Sequence, residues 1–455
     1  MDYKKRTEVL ANEEIGKLII RFSTPAIIGM LVMASYSFFD RIFVGRGVGS
    51  LAISAITIVF PIIMLYFAFG MLIGIGSTSR VSLALGEKNK EEAEKILGNS
   101  ISLSFIISSI VTLIFYFYLM PIIKIFGGTG DVALLAYDFA KVGLIGFYFQ
   151  IFTFSLNAII RGEGNPKTAM ITMIISSIIN ITLNPLFIFV FHWGIRGSAW
   201  ATVIAQIFSF TWILFYFFSK KSLLKIHFKY LKIDKRIVKS IVSIGVSPFA
   251  MQLAGGLVLA LFNKVIGQYG GEHAIAAMGI GISVSFMIMM PIFGLNQGIQ
   301  PILGYNYGAK NFHRVKETLK KSIILATAIC TLGFLIVELF TYDIVNLFVK
   351  NDPMVLNYAI KGLRIFMLVI PIIGFQIIIT NYFQSVGKAK HSLILTMSRQ
   401  IIFLIPLLLI LPRFFSMDGV WFSGPISDTC SSILAAVLLF NERKNLNESA
   451  LKASI

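Results

Sequence analysis

Asp40 is the first residue whose chemistry asks for a reason: "SYSFFDRIFVG" sets a carboxylate among aromatic and aliphatic side chains. A charged group near a bilayer centre costs about 2.5–3.5 kcal/mol, so one found there reads as functional. Adjacent Arg41 leaves a second reading, an interfacial ion pair at the outer end of a helix. Further on, "SSIINITLNP" spaces Asn180 and Asn184 four apart, which stacks both amides on one helix face. Embedded amides need partners, and either a polar site or helix–helix packing supplies them. Asn157 and Thr202 carry the same two readings. Other embedded charges lie in the second half, at Lys361, Arg364, Arg399 and Asp428, where Arg399 and Asp428 suit a structural ion pair. Glu338 is placed near a helix end, reaching the interface, and Asp138 and Lys141 suit a local i,i+3 pair.

The elements that hold these residues follow from composition. The chain is 56% hydrophobic and 14% charged, whereas soluble domains run near 25% charged. Apolar runs long enough to cross a ~30 Å core fall near 18–40, 51–78, 99–121, 132–158, 168–191, 195–218, 237–262, 275–300, 321–345, 354–383, 391–412 and 418–440. Segments this long and continuous satisfy their own backbone groups as helices. The fold class is therefore an all-α membrane protein with twelve transmembrane helices. Lys and Arg crowd alternate loops, 29 on one side against 7 on the other, which puts both termini in the cytoplasm. The net charge of +18 then reflects topology and attraction to anionic lipid, not a nucleic-acid partner.

No enzyme is indicated. The glycine-rich "FGMLIGIGSTS" lies in an apolar helix and follows no strand, so it fails as a phosphate loop. Cys330 and Cys430 sit in helices, and the five histidines share no metal-ligand spacing. The first apolar run is too long for a signal-peptide core.

An internal repeat organises the chain. A shift of roughly 223 positions aligns Pro25 with Pro248, "GEKNKEEAEKILGNS" with "GAKNFHRVKETLKKS", "RGEGNPK" with "QSVGKAK", and "GIRGSAWATVIAQ" with "GVWFSGPISDTCS". Two six-helix halves enter the membrane in the same direction, so a pseudo-twofold axis runs along the membrane normal. The expected division is an N-terminal lobe over 1–218, a basic cytoplasmic linker over 219–239, a C-terminal lobe over 240–440, and a cytoplasmic tail over 441–455. The polar cluster is not repeated, because Asp40 meets Asn263, Asn157 meets Thr380, and Asn180 and Asn184 meet Phe403 and Leu407. Prolines fall mid-helix at 25, 61, 248, 291, 371 and 406. Pro25, four turns before Asp40, is the candidate hinge.

"FFDRIFVG", "RGEGNPK", "NITLNPLFIF", "GSAWATVIAQ" and "QPILGYNYGAKN" resemble the multidrug and toxin extrusion (MATE) family over essentially the whole chain, closest to its prokaryotic DinF-type branch. The resemblance implies a monomeric antiporter in a bacterial or archaeal cytoplasmic membrane, without a cofactor. It would export cationic amphipathic drugs or metabolites in exchange for H+ or Na+ by alternating access. Asp40 takes the position of the family's helix-1 acid that handles the coupling cation, with Asn157, Asn180, Asn184 and Thr202 around it. A sodium ion would sit at Asp40, Asn180 and Thr202. Tyr36, Gln297 and Arg399 join Asp40, Asn157 and Asn180 as candidate substrate contacts. Related members often place an aspartate at position 184, where this chain has Asn184. One carboxylate is left in that group, which favours a proton over sodium. Lys361, Arg364 and Arg399 suggest the rival reading, a flippase for a lipid-linked saccharide.

Overall fold

The computed structural model describes residues 3–349 and 352–453. Lys350, counted among the outside basic residues, and the last two residues of the 441–455 tail lie outside them. Fourteen α-helices follow in chain order: α1 (Tyr3–Asn12), α2 (Ile15–Gly47), α3 (Ser50–Gly86), α4 (Lys90–Ile125), α5 (Gly130–Gly162), α6 (Pro166–Pro185), α7 (Gly194–Phe218), α8 (Lys235–Gly308), α9 (Phe312–Leu339), α10 (Thr341–Phe348), α11 (Pro353–Met367), α12 (Ile370–Ser385), α13 (Ala389–Met397) and α14 (Ile405–Ala453).

Twelve crossings result. Helices α2 to α7 give six, and α9 gives one. The 74-residue α8 gives two, broken at Gly271, whose φ of 67° suits a residue without a Cβ. Helices α11 and α12 form one span bent by 49°. Helix α13 continues through a π-helical stretch, Ser398–Leu404, into the start of α14, which breaks again at Ser416. The membrane therefore holds two six-helix lobes, as the repeat requires.

The repeated motifs have a local reason. In "GEKN" and "GAKN" the lysines, Lys88 and Lys310, adopt φ of 59° and 56°. The asparagines that follow cap the next helices, Asn89 accepting from Glu92 N at 3.0 Å and Asn311 from Arg314 N at 3.4 Å. Such caps satisfy donors that have no partner inside the helix.

Three expectations change. Helix α2 runs to Gly47, so Asp40 lies inside the helix instead of closing it. Pro371 starts α12 after the bend, and Pro406 follows the π-helical stretch, so neither is mid-helix. Asp138 pairs with Arg196 at 2.8 Å and not with Lys141, whose ammonium lies over the Tyr137 ring.

The lobes meet through glycines. A Cβ added at Gly298 would lie 2.5 Å from Ser23 Cα, and one at Gly294 would lie 2.6 Å from Ile27 Cα, which seats α8 directly on α2. Gly76 faces the Ile241 backbone and Gly245 the Leu72 backbone in the same manner, α3 against α8. Gln300 crosses the seam, donating to Ser79 Oγ at 2.8 Å and Ile75 O at 3.1 Å. All of these contacts lie in the half of the molecule nearer the linker. At the other end of α8's two spans, a Cβ at Gly255, Gly256, Gly279 or Gly281 would meet nothing within 4 Å. The close approaches of α8 to α2 and α3 thus lie toward the linker, and the open glycine positions of α8 lie away from it.

The linker itself is tied down. Asn99 donates to Tyr230 O at 3.3 Å and accepts from Asp234 N at 2.8 Å, while Ser102 donates to Leu231 O at 2.6 Å. Fully buried Glu163 accepts from the Tyr216 hydroxyl, from Ser222 Oγ at 3.0 Å, and from the N–H groups of Leu223 and Leu224 at 3.1 and 3.2 Å.

Candidate functional site

Three helices of the first lobe bring the polar residues together. Helix α2 carries Asp40, α6 carries Asn180 and Asn184, and α7 carries Ser198 and Thr202. Residues four apart on a helix share a face, so α6 presents two stacked amides and α7 two stacked hydroxyls. Helix α6 gives way after Pro185 to a π-helical turn, Leu186–Val190. Such turns recur at functional sites, and this one lets the outer end of α6 follow α2, where Phe189 meets the Phe43 ring edge-on at 6.5 Å.

Asp40 is partly buried. Its Oδ1 accepts hydrogen bonds from the Asn184 amide and from Ser198 Oγ, the latter at 2.7 Å. Among the described residues nothing donates to Oδ2. Asn180 donates to Thr202 Oγ1 at 3.1 Å. Two side-chain oxygens of the group, Asn180 Oδ1 and Asn184 Oδ1, are buried and have no partner among the described residues. Leaving an acceptor unpaired in the interior costs about 1–3 kcal/mol. Two such oxygens beside a carboxylate form an all-oxygen donor set suited to a hard cation.

The other expected residues are placed as follows. Asn157 lies in α5 but is engaged elsewhere: its amide donates to Ala169 O at 3.1 Å, and its oxygen accepts from Arg161 at 2.5 Å. Tyr36 is partly buried one turn before Asp40 on α2. Gln297 reaches across the lobe junction to Met30 Sδ at 3.3 Å. Pro25 is buried in α2 between Ser23 and Ile27, the two residues seated on α8. Arg399 belongs to the second lobe, where it pairs with Asp428 at 2.7 Å and its carbonyl accepts from Ser427 at 2.7 Å. Lys361 and Arg364 are more than half exposed and pair with Asp418 at 2.6 Å and Glu338 at 3.5 Å. Glu338 is thus held by Arg364.

Two residues were not singled out from the sequence. Ser198 precedes Thr202 by four, and that spacing alone could have placed both on one face. The other is Arg161, the first residue of "RGEGNPK", which is 7% exposed with Asn157 as its hydrogen-bond partner.

Comparison with known proteins fits this geometry. The MatE family model matches residues 25–186 and 249–410, once in each lobe. The multidrug export protein MepA of Staphylococcus haemolyticus (strain JCSC1435) is 29% identical over 432 residues, 95% of each chain. Among solved structures, a MATE protein in the bent conformation superposes with a TM-score of 0.92 at 25% identity, covering 98% of this chain and 99% of that one. An outward-facing multidrug resistance MATE family transporter of the MOP superfamily gives 0.90 at 26% identity, covering 96% and 98%. With a matching repeat in each lobe and the whole architecture shared, this chain belongs to the MatE family and is a MATE transporter.

Proposed function

We propose that this transporter exports cationic amphipathic compounds in exchange for a cation bound at Asp40, by alternating access between its two lobes. The observation that carries the reading is the group around Asp40: a carboxylate held by Asn184 and Ser198 beside two unpaired amide oxygens. A proton is the first candidate. Protonation of Asp40 at Oδ2 adds an O–H donor while Oδ1 can still accept, so an unpaired amide oxygen would gain a partner. The same oxygens support sodium as a second reading, since Asp40, Asn180, Asn184 and Thr202 could coordinate it without a second carboxylate.

Loading Asp40 shifts α2 beyond Pro25 relative to α6 and α7, which lifts Ile27 from Gly294 while Ser23 stays seated on Gly298. Pro25 is the hinge in this scheme. Substrate contacts would come from Asp40, Tyr36, Asn180 and Gln297. One elementary charge moved through 100 mV is worth about 2.3 kcal/mol. A monovalent drug exchanged for one proton moves no net charge, so a pH difference alone would drive it.

The excess of Lys and Arg in the loops on the linker's side supports a cytoplasmic linker and cytoplasmic termini. A cleft between the lobes on the side of Gly255 and Gly279, away from the linker, then faces outward. A flippase is disfavoured because the cations it would use, Lys361, Arg364 and Arg399, are each paired with an acid. The deciding experiment is drug efflux from proteoliposomes with pH and Na+ gradients imposed one at a time. Efflux that follows the pH gradient and ignores Na+ supports the proton, and the converse supports sodium. Flux indifferent to both removes the antiport reading.

A further inference from the structure

Away from the Asp40 group, the outer wall of the first lobe carries two adjoining grooves. The larger, about 640 Å³, lies between α4, α5 and α7 and is walled by Phe105, Ile106, Phe152 and Phe210, with Leu231 and Ile233 of the linker closing one end. The smaller, about 420 Å³, continues from the shared residues Tyr148 and Phe149 to Tyr116 and Lys141. Both volumes fall in the range of ligand sites, about 300–1,000 Å³. The linker end is built differently from the rest. Ser102 fixes the Leu231 carbonyl at 2.6 Å, so Leu231 and Ile233 are held against α4. Beside them stand Lys229, Lys232 and Lys235, all exposed. Phe228, in the same short segment, is 83% exposed, a large apolar side chain next to cations, the pattern of a segment lying at a membrane interface.

We infer that this groove binds one phospholipid with an anionic headgroup from the leaflet on the linker side. Its acyl chain lies along the aromatic wall, and its phosphate sits against Lys229, Lys232 and Lys235. Charge complementarity selects that occupant. Among the described residues none of the three lysines holds an ion pair, although Lys229 lies 4.6 Å over the Tyr230 ring near Glu91, and a polybasic segment at an anionic surface gains about 1 kcal/mol per lysine. The groove is walled by lobe helices and linker together, so a bound lipid clamps the linker to its lobe.

The test uses purified full-length protein in mixed micelles containing phosphatidylglycerol or phosphatidylcholine, with bound lipid counted by native mass spectrometry. Wild type should retain phosphatidylglycerol in preference. A Lys229→Gln/Lys232→Gln/Lys235→Gln variant, altered only at exposed positions, should lose that preference, by about fivefold for each lysine that engages the headgroup. Ile106→Trp, which fills the groove and leaves the lysines intact, should lower phosphatidylglycerol retention too. Equal retention of both lipids by wild type would overturn the inference, as would an undiminished preference in either variant. Concentration-dependent dimerisation that the groove-filling variant abolishes would also overturn it, by assigning the face to a second copy of the chain.

Discussion

At the scale of single residues, the cost of leaving polar atoms unpaired decides what each side chain can be doing. The Asn180 amide has Thr202 Oγ1 as its acceptor at 3.1 Å. Thr202→Val keeps the shape and strands that amide, at a cost of about 1–3 kcal/mol. A lowered thermal midpoint in detergent is the expected outcome, with Thr202→Ser restoring it; an unchanged midpoint for Thr202→Val would mean the amide finds another partner. The embedded residues were legible in the sequence because polarity within an apolar run is visible without coordinates. Their pairing was legible only where both partners were rare, as with Arg399 and Asp428. Ser198 was lost because a serine in a membrane helix is common and most often bonds its own backbone. Asn157 is the opposite case: its type and position matched the family's cluster, yet Arg161, one turn away on the same helix, takes its oxygen.

At the scale of elements, helix number and placement came straight from hydropathy, and the ends did not. Each apolar run was read to the edge of its apolar character, while the helices continue through polar turns, as α2 does to Gly47 and α3 to Gly86. Pro371 and Pro406 mark where a span is interrupted, which a proline's position in an apolar run cannot distinguish from a kink. The linker gave the least signal. Its many lysines read as a solvated tether, but what fixes it are acceptors distant in sequence, Asn99 and Glu163. Glu163→Ala would strand the N–H groups of Leu223 and Leu224, each worth about 1–3 kcal/mol, and take one acceptor from the Tyr216 and Ser222 hydroxyls. It should therefore lower the thermal midpoint well beyond Glu91→Ala, whose carboxylate is mostly exposed. Equal effects would mean the linker is held by other contacts.

Across the whole molecule, the seam of close-packed glycines on the linker side and the open glycines opposite are what an outward-open state of the proposed cycle requires. The repeat in the sequence foretold two lobes with a cleft between them. It could not say which end of the cleft is closed, because that depends on backbone approach distances and not on residue type. Cysteine accessibility reads it out. In a background with Cys430→Ser, where Cys330 is buried, Gly255→Cys should react with a membrane-impermeant thiol reagent. Ser79→Cys, fully buried at the seam, should stay protected. Protection of Gly255→Cys together with labelling of Ser79→Cys would show the lobes resting the other way.

The proposed antiport turns on whether a driving cation binds at Asp40. The direct measurement is fluorescent-drug efflux from proteoliposomes, wild type against Asp40→Asn, with the pH and Na+ gradients applied separately. Gradient-driven efflux in the wild type and its loss in Asp40→Asn, with the variant still folded and still binding drug, is the predicted result. Efflux by Asp40→Asn that keeps both its rate and its response to the gradient would contradict the account.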